Sequence, residues 1–188
     1  ESWMRERISG VTRRDAPATT ALYQWWSPSR GDNLTTSDPA WEGRPPARQS
    51  ISYRHVATLG HVLRSPTPGT VPLTHWYSES RQEHFSTSSP AWAQGQVNEG
   101  YAFIKVLGHV FDPARPRPSE ATPVWGWYSP SRQDNLLTTD PAWNPALGLA
   151  RSPDYRFVRV EGHVYPTANA STVPLQLWWS PLWENHLS

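Results

Sequence analysis

Three short polar stretches carry the side chains best suited to chemistry. Arg30, Asp32, Asn33 and Trp41 form one set; Arg81, Glu83, His84 and Trp92 form a second; Arg132, Asp134, Asn135 and Trp143 form a third. Each set combines a cation, an acid, an amide or imidazole, and an indole. That mixture suits a sugar, because an aromatic face stacks on C–H groups while the polar heads bond hydroxyls. A fourth stretch, "LWWSPLWENHLS", has Trp183 where the others have Arg and lacks their Pro-Ala-Trp tail, so it is expected to be degenerate. Several equivalent sites would add avidity on a polyvalent surface. The plainer alternative is that each acid caps its own turn through backbone N–H groups.

The same acids raise the question of glycoside hydrolysis, which divides acid and base work between two carboxylates. Here the acids recur at equivalent positions, whereas catalysis needs groups in unlike environments. Gly-x-Ser-x-Gly, His-Glu-x-x-His and phosphate-cradling motifs are all absent from the sequence. The expectation is therefore a binding protein rather than an enzyme. His61, His109 and His163 follow three equivalent glycines and could converge on a metal. The corresponding N-terminal Gly10 is followed by Val11, and no metal or cofactor is expected.

These residues must be positioned by a repeat. Trp25, Trp76, Trp127 and Trp178 recur at 51-residue intervals. Each is followed by a second aromatic (Trp26, Tyr77, Tyr128, Trp179), a serine and then the polar turn, which reads as two short strands around Ser-Pro-Ser-Arg. In strands packed on both sides the paired aromatics would serve as core. A second half-motif, "YRHVATLG", "YAFIKVLG" and "YRFVRVEG", with N-terminal counterpart "WMRERISG", reads as one longer strand that glycine breaks before a short fourth.

Four strands in about 50 residues match a propeller blade. The expected architecture is all-β over residues 1–188, with units near 22–72, 73–123 and 124–174, and a fourth formed by 175–188 with 1–21. That arrangement is a four-bladed β-propeller closed by N- and C-terminal half-repeats, with a β-trefoil as the alternative.

Composition narrows the classes. The chain has 12 Trp, 20 Pro and 11 Gly, which disfavours a helical protein. A net charge of +1 gives no field for nucleic acid or an anionic membrane. No apolar run reaches the length of a membrane span. Without cysteine there is no disulfide framework and no thiolate metal site.

The stretches "VPLTHWYSESRQEHFSTS", "VPLQLWWSPLWENHL" and "YRFVRVEGHVYPT" resemble an aromatic-rich family of secreted repeats of unknown function. Its pattern runs Pro-Leu-Tyr-Arg-x-Tyr-Asn-Pro, then Asp-His-Phe-Tyr-Thr-Thr, then a Glu-Gly-x-x-Gly-Tyr-Val stretch. The resemblance covers nearly the whole chain. It departs at Asn33 and Asn135, where the family has His, and at Ser27, Ser78, Ser129 and Ser180, where it has Asn. It implies an extracellular binding module that recognises glycans or cell-surface polysaccharide, a multivalent lectin. A structural or protein-binding ring is the alternative. No catalytic residue comes with it.

Overall fold

The computed structural model describes residues 17–39, 52–147 and 152–168, together with the backbone of 178–180 and 185–187; side chains of 95–98 are not described. The chain divides into two compact units, residues 17–168 and a second composed of 1–16 with 169–188.

Residues 17–168 are three copies of one three-stranded antiparallel meander. The first contains β1 (Thr19–Ser27), β2 (Asp32–Thr36) and β3 (Arg54–Leu63). The second contains β4 (Thr70–Ser78), β5 (Glu83–Thr87) and β6 (Ala102–Phe111). The third contains β7 (Thr122–Ser129), β8 (Asp134–Thr138) and β9 (Arg156–Val164). In every copy the first strand is central, paired with the short hairpin strand on one side and the long strand on the other.

The hairpin register repeats without a slip. Trp25 faces Leu34, Trp76 faces Phe85 and Trp127 faces Leu136. In the terminal unit β10 (Trp178–Ser180) and β11 (Asn185–Leu187) pair the same way, with Trp178 opposite Leu187. The 51-residue period is therefore a structural period in all four hairpins. Trp25 and Trp127 are buried, each within its own meander, beside Leu34 and Tyr53 or beside Leu136 and Tyr155.

The glycines expected to break the long strands do not break them. β3, β6 and β9 run through Gly60, Gly108 and Gly162, so a unit has three strands, not four. What glycine supplies is clearance for the neighbouring unit. A Cβ on Gly108 would lie 2.3 Å from Val62 Cγ2, and one on Gly60 would lie 2.6 Å from the Tyr165 carbonyl oxygen. All three have positive φ, which disfavours a side chain independently of space. At this end Leu63 pairs with His109, Phe111 with His163, and His61 with Tyr165, a cyclic set of contacts. Beneath lies the main apolar cluster, to which each unit contributes equivalent residues: Leu22, Leu73 and Val124, and Val62, Val110 and Val164.

The fold is all-β with one α-helix among the described residues, α1 (Pro90–Asn98), in a sheet system that does not confirm a four-bladed propeller. In a four-bladed ring the first and third blades lie opposite one another. Here β2 contacts both β5 and β8, and β5 contacts β8. The helix starts at the Pro-Ala-Trp tail of the polar stretch. Ser89 Oγ accepts from Trp92 N–H, and in the third unit Asp140 accepts from Ala142 N–H ahead of a 3-10 turn at Pro141–Trp143. A hydroxyl or carboxylate cap followed by proline at the first position is a helix-start signal, and it stands in the sequence.

Candidate functional site

Bulges place the residues between units. Leu22 pairs with Gly60 and Tyr23 with Thr58, leaving Leu59 as an extra residue, and Val56 is extra in the same way. The equivalents are Leu107 and Ile104 in the second unit, and Glu161 and Val158 in the third. A bulge re-aims a side chain that regular pairing would send to the other face. Val56 and Leu59 line a cavity of about 700 Å³ between the first and third units. Its other walls include Gln24, Trp26 and Asn33 from the first unit and Arg132, Trp143 and Tyr155 from the third. The volume is that of a small-ligand site, with two indoles and several polar heads.

The corresponding groove between the second and third units is nearly filled, holding only about 10 Å³. Phe85, Trp92, Asn135 and Val158 occupy the places of Leu136, Trp143, Asn33 and Val56. In the second unit the positions of Gln24 and Asn33 are held by His75 and His84, whose Nε2 and Nδ1 lie 2.9 Å apart. Burial pushes both imidazoles down, to about 3 and about 4. Trp41, predicted to join Arg30, Asp32 and Asn33, lies outside the described residues, as does Trp183.

The predicted sets are thus redistributed. Arg132 and Trp143 line the open cavity, and Asn33, assigned to a different set, joins them from the next unit. Trp92 lines the closed groove. Arg30, Arg81 and Arg132 each lie over a tyrosine ring, with guanidinium carbons 5.6, 5.7 and 5.9 Å from the centroids of Tyr53, Tyr101 and Tyr155. These tyrosines open the second half-motif; their repetition was visible in the sequence, but their contact with the arginines was not.

Asp32, Glu83 and Asp134 line neither of these two cavities. They are buried, and their oxygens come within 4.8 Å of one another. Their backbone bonds cross between units: each receives the N–H of the next unit. His84 N–H donates to Asp32 Oδ1 (3.2 Å), Asn135 N–H to Glu83 Oε1 (2.8 Å) and Asn33 N–H to Asp134 Oδ1 (2.8 Å). Asn33 Nδ2 and Asn135 Nδ2 donate to the same acids, which accounts for the polar residue beside the acid. Tyr53 and Tyr155 hydroxyls donate to Asp32 and Asp134.

Burial holds the Glu83 carboxyl up, to about 10, with the charges of Asp32 and Asp134 adding to it. Burial also raises Asp32 and Asp134, against the hydrogen bonds from Tyr53 and Tyr155. Glu83 and Asp32 also interact through their side chains, which raises Glu83 further and lowers Asp32, and the three acids together form a clasp between the units. The three carboxyls could also offer one oxygen each to a cation, though most of their lone pairs are already engaged. His61, His109 and His163 form no comparable group among the described residues, and the Nδ1 of each is buried without a partner.

Three meanders clasped through acids, with a ligand-sized cavity between two of them, define an all-β repeat protein with inter-unit sites. The chain belongs to the family described as domain of unknown function DUF5648, matched over residues 1–111 and again over 72–187. Each match spans more than one repeat, and their overlap, 72–111, nearly coincides with the second meander. The search of curated proteins found no match. The search of solved structures found none.

Proposed function

We propose that the protein is a non-catalytic carbohydrate-binding module whose working site is the cavity between the first and third meanders. The observation that carries this reading is the cavity itself: Trp26 and Trp143 supply stacking faces, while Gln24 and Arg132 supply polar groups within one ligand-sized space. Such glycans are met at cell surfaces, so the reading places the protein outside the cell. The repeated acids are engaged in the inter-unit clasp, which favours binding over hydrolysis. Pairwise contact of three units supports a three-unit ring in preference to the four-bladed propeller.

The test is a broad glycan array followed by titration of the best sugar into the native chain, Trp143→Ala and Arg132→Ala. Loss of an aromatic anchor should weaken binding about 10- to 100-fold, with the melting temperature little changed for the exposed Arg132 variant. Binding that both variants retain at full strength would sink the assignment, as would an array with no saturable sugar. A protein-binding role has one observation in its favour: Phe103, Ile104 and Val106 are 51%, 48% and 45% exposed along β6. Binding to a protein partner abolished by Phe103→Asp, with no glycan bound, would replace the sugar reading.

A further inference from the structure

The closed groove shows what its open counterpart is built to hold. At the bulge where the first two units have Leu59 and Leu107, the third has Glu161, 3% exposed. Its carboxylate accepts from Thr87 Oγ1 (3.1 and 3.2 Å), Ser88 N–H (2.7 Å) and Ser88 Oγ (2.8 Å) of the second unit. Arg159 Nε lies 3.7 Å away. Gly126 stands opposite, where a Cβ would already touch Glu161 at 3.5 Å and a side chain as long as Gln24, its counterpart, would compete for the space. An internal acid thus plugs this groove, and Thr87 and Ser88 form its receptor.

The same receptor exists in the open cavity without its acid. Thr138 and Thr139 stand where Thr87 and Ser88 stand, and both line the cavity together with Leu59. The local fold is the same: Ser89 N–H donates to Thr87 Oγ1 at 3.0 Å, and Asp140 N–H donates to Thr138 Oγ1 at 3.1 Å. That bond uses Thr138 Oγ1 as acceptor and leaves its proton to donate. The Thr139 hydroxyl makes no hydrogen bond within the described residues. Arg159 has no counterpart here, since Ala57 replaces it, but Arg132 brings a cation to the same cavity. Asp140 also lines it and directs one oxygen to Ala142 N–H.

Building on the carbohydrate reading, we infer that the ligand is an acidic saccharide whose carboxylate binds Thr138 and Thr139 as the Glu161 carboxylate binds Thr87 and Ser88. Charge-assisted bonds from two hydroxyls and an amide would discriminate strongly against a neutral sugar of the same shape.

The experiment is calorimetric titration of the full chain with an oligo-uronate, its methyl ester, and the neutral oligosaccharide of the same linkage. Saturable binding of the free acid is expected, with the ester and neutral sugar about 10- to 100-fold weaker. The paired substitution Gln24→Gly with Leu59→Glu transplants the plug and should abolish binding while the chain still melts cooperatively. The ester comparison needs no variant, so it decides the matter even if that substitution fails to fold. Equal affinity for acid, ester and neutral sugar overturns this inference and leaves the carbohydrate reading intact. Absence of binding to every saccharide, or binding only to an acidic peptide, overturns both.

Discussion

The three meanders are joined twice, and the two joints use opposite chemistry. At the hairpin-turn end, one carboxyl from each unit is buried against the next unit's backbone. At the other end, one glycine from each unit lets a neighbouring valine and carbonyl approach within a distance that no side chain tolerates. The polar joint is directional, since each acid must find one N–H and one amide or hydroxyl. The apolar joint depends on shape alone. Directional bonds set which unit follows which; close packing supplies burial, which is where most stabilisation in a fold arises.

Breaking the apolar joint should have the larger effect. In Gly108→Ala the new methyl would meet Val62 Cγ2 at 2.3 Å and the Leu63 carbonyl oxygen at 3.0 Å, at a φ of 153°. Overpacking and backbone strain together should cost about 3 kcal/mol or more, read as a fall in the denaturation midpoint. A variant as stable as the parent would mean that the units are not held this closely. Breaking the polar joint should cost less. Asp134→Ala leaves Asn33 N–H, Asn33 Nδ2 and the Tyr155 hydroxyl without their acceptor. It also removes a buried negative charge beside two other carboxyls, so the net loss should be about 2 kcal/mol. An unchanged or raised midpoint would mean that relief of repulsion outweighs the lost bonds.

The repeat shows why part of this was legible and part was not. The period of Trp25, Trp76, Trp127 and Trp178 gave the hairpins, because one spacing repeated along the chain reports local structure directly. The acids, amides, arginines and indoles were all identified by recurrence. Their grouping was not, because recurrence says which residues are equivalent and not which units touch. Asn33 stands beside Asp32 in sequence but bonds Asp134. Glu161 offered a signal that went unused: a charged residue in the Leu59 and Leu107 position of an otherwise apolar repeat is an exception worth explaining. Gly60, Gly108 and Gly162 read as strand breakers because a glycine's cost to a strand is visible locally, while the neighbour that requires it is not.

The smallest effect concerns the one acid that is a methylene longer than its equivalents. Glu83 holds its proton far above the usual carboxylate range, so the folded state binds that proton more tightly than the unfolded chain does. The sign follows: the contribution is complete below the ordinary carboxylate pKa and is lost as pH rises toward about 10. The unsubstituted chain should therefore lose stability gradually between about pH 5 and about pH 9, the three neighbouring carboxyls sharing the titration. Glu83→Gln keeps an acceptor for Asn135 N–H and offers an N–H to Asp32 in place of the acid proton. At low pH the two chains should be similar, and in mildly alkaline solution the variant should be the more stable. Denaturation midpoints taken across that range decide it. Parallel curves would mean that Glu83 is already ionised in the fold, and that the polar joint is a ring of charges balanced by its donors instead of a clasp closed by a proton.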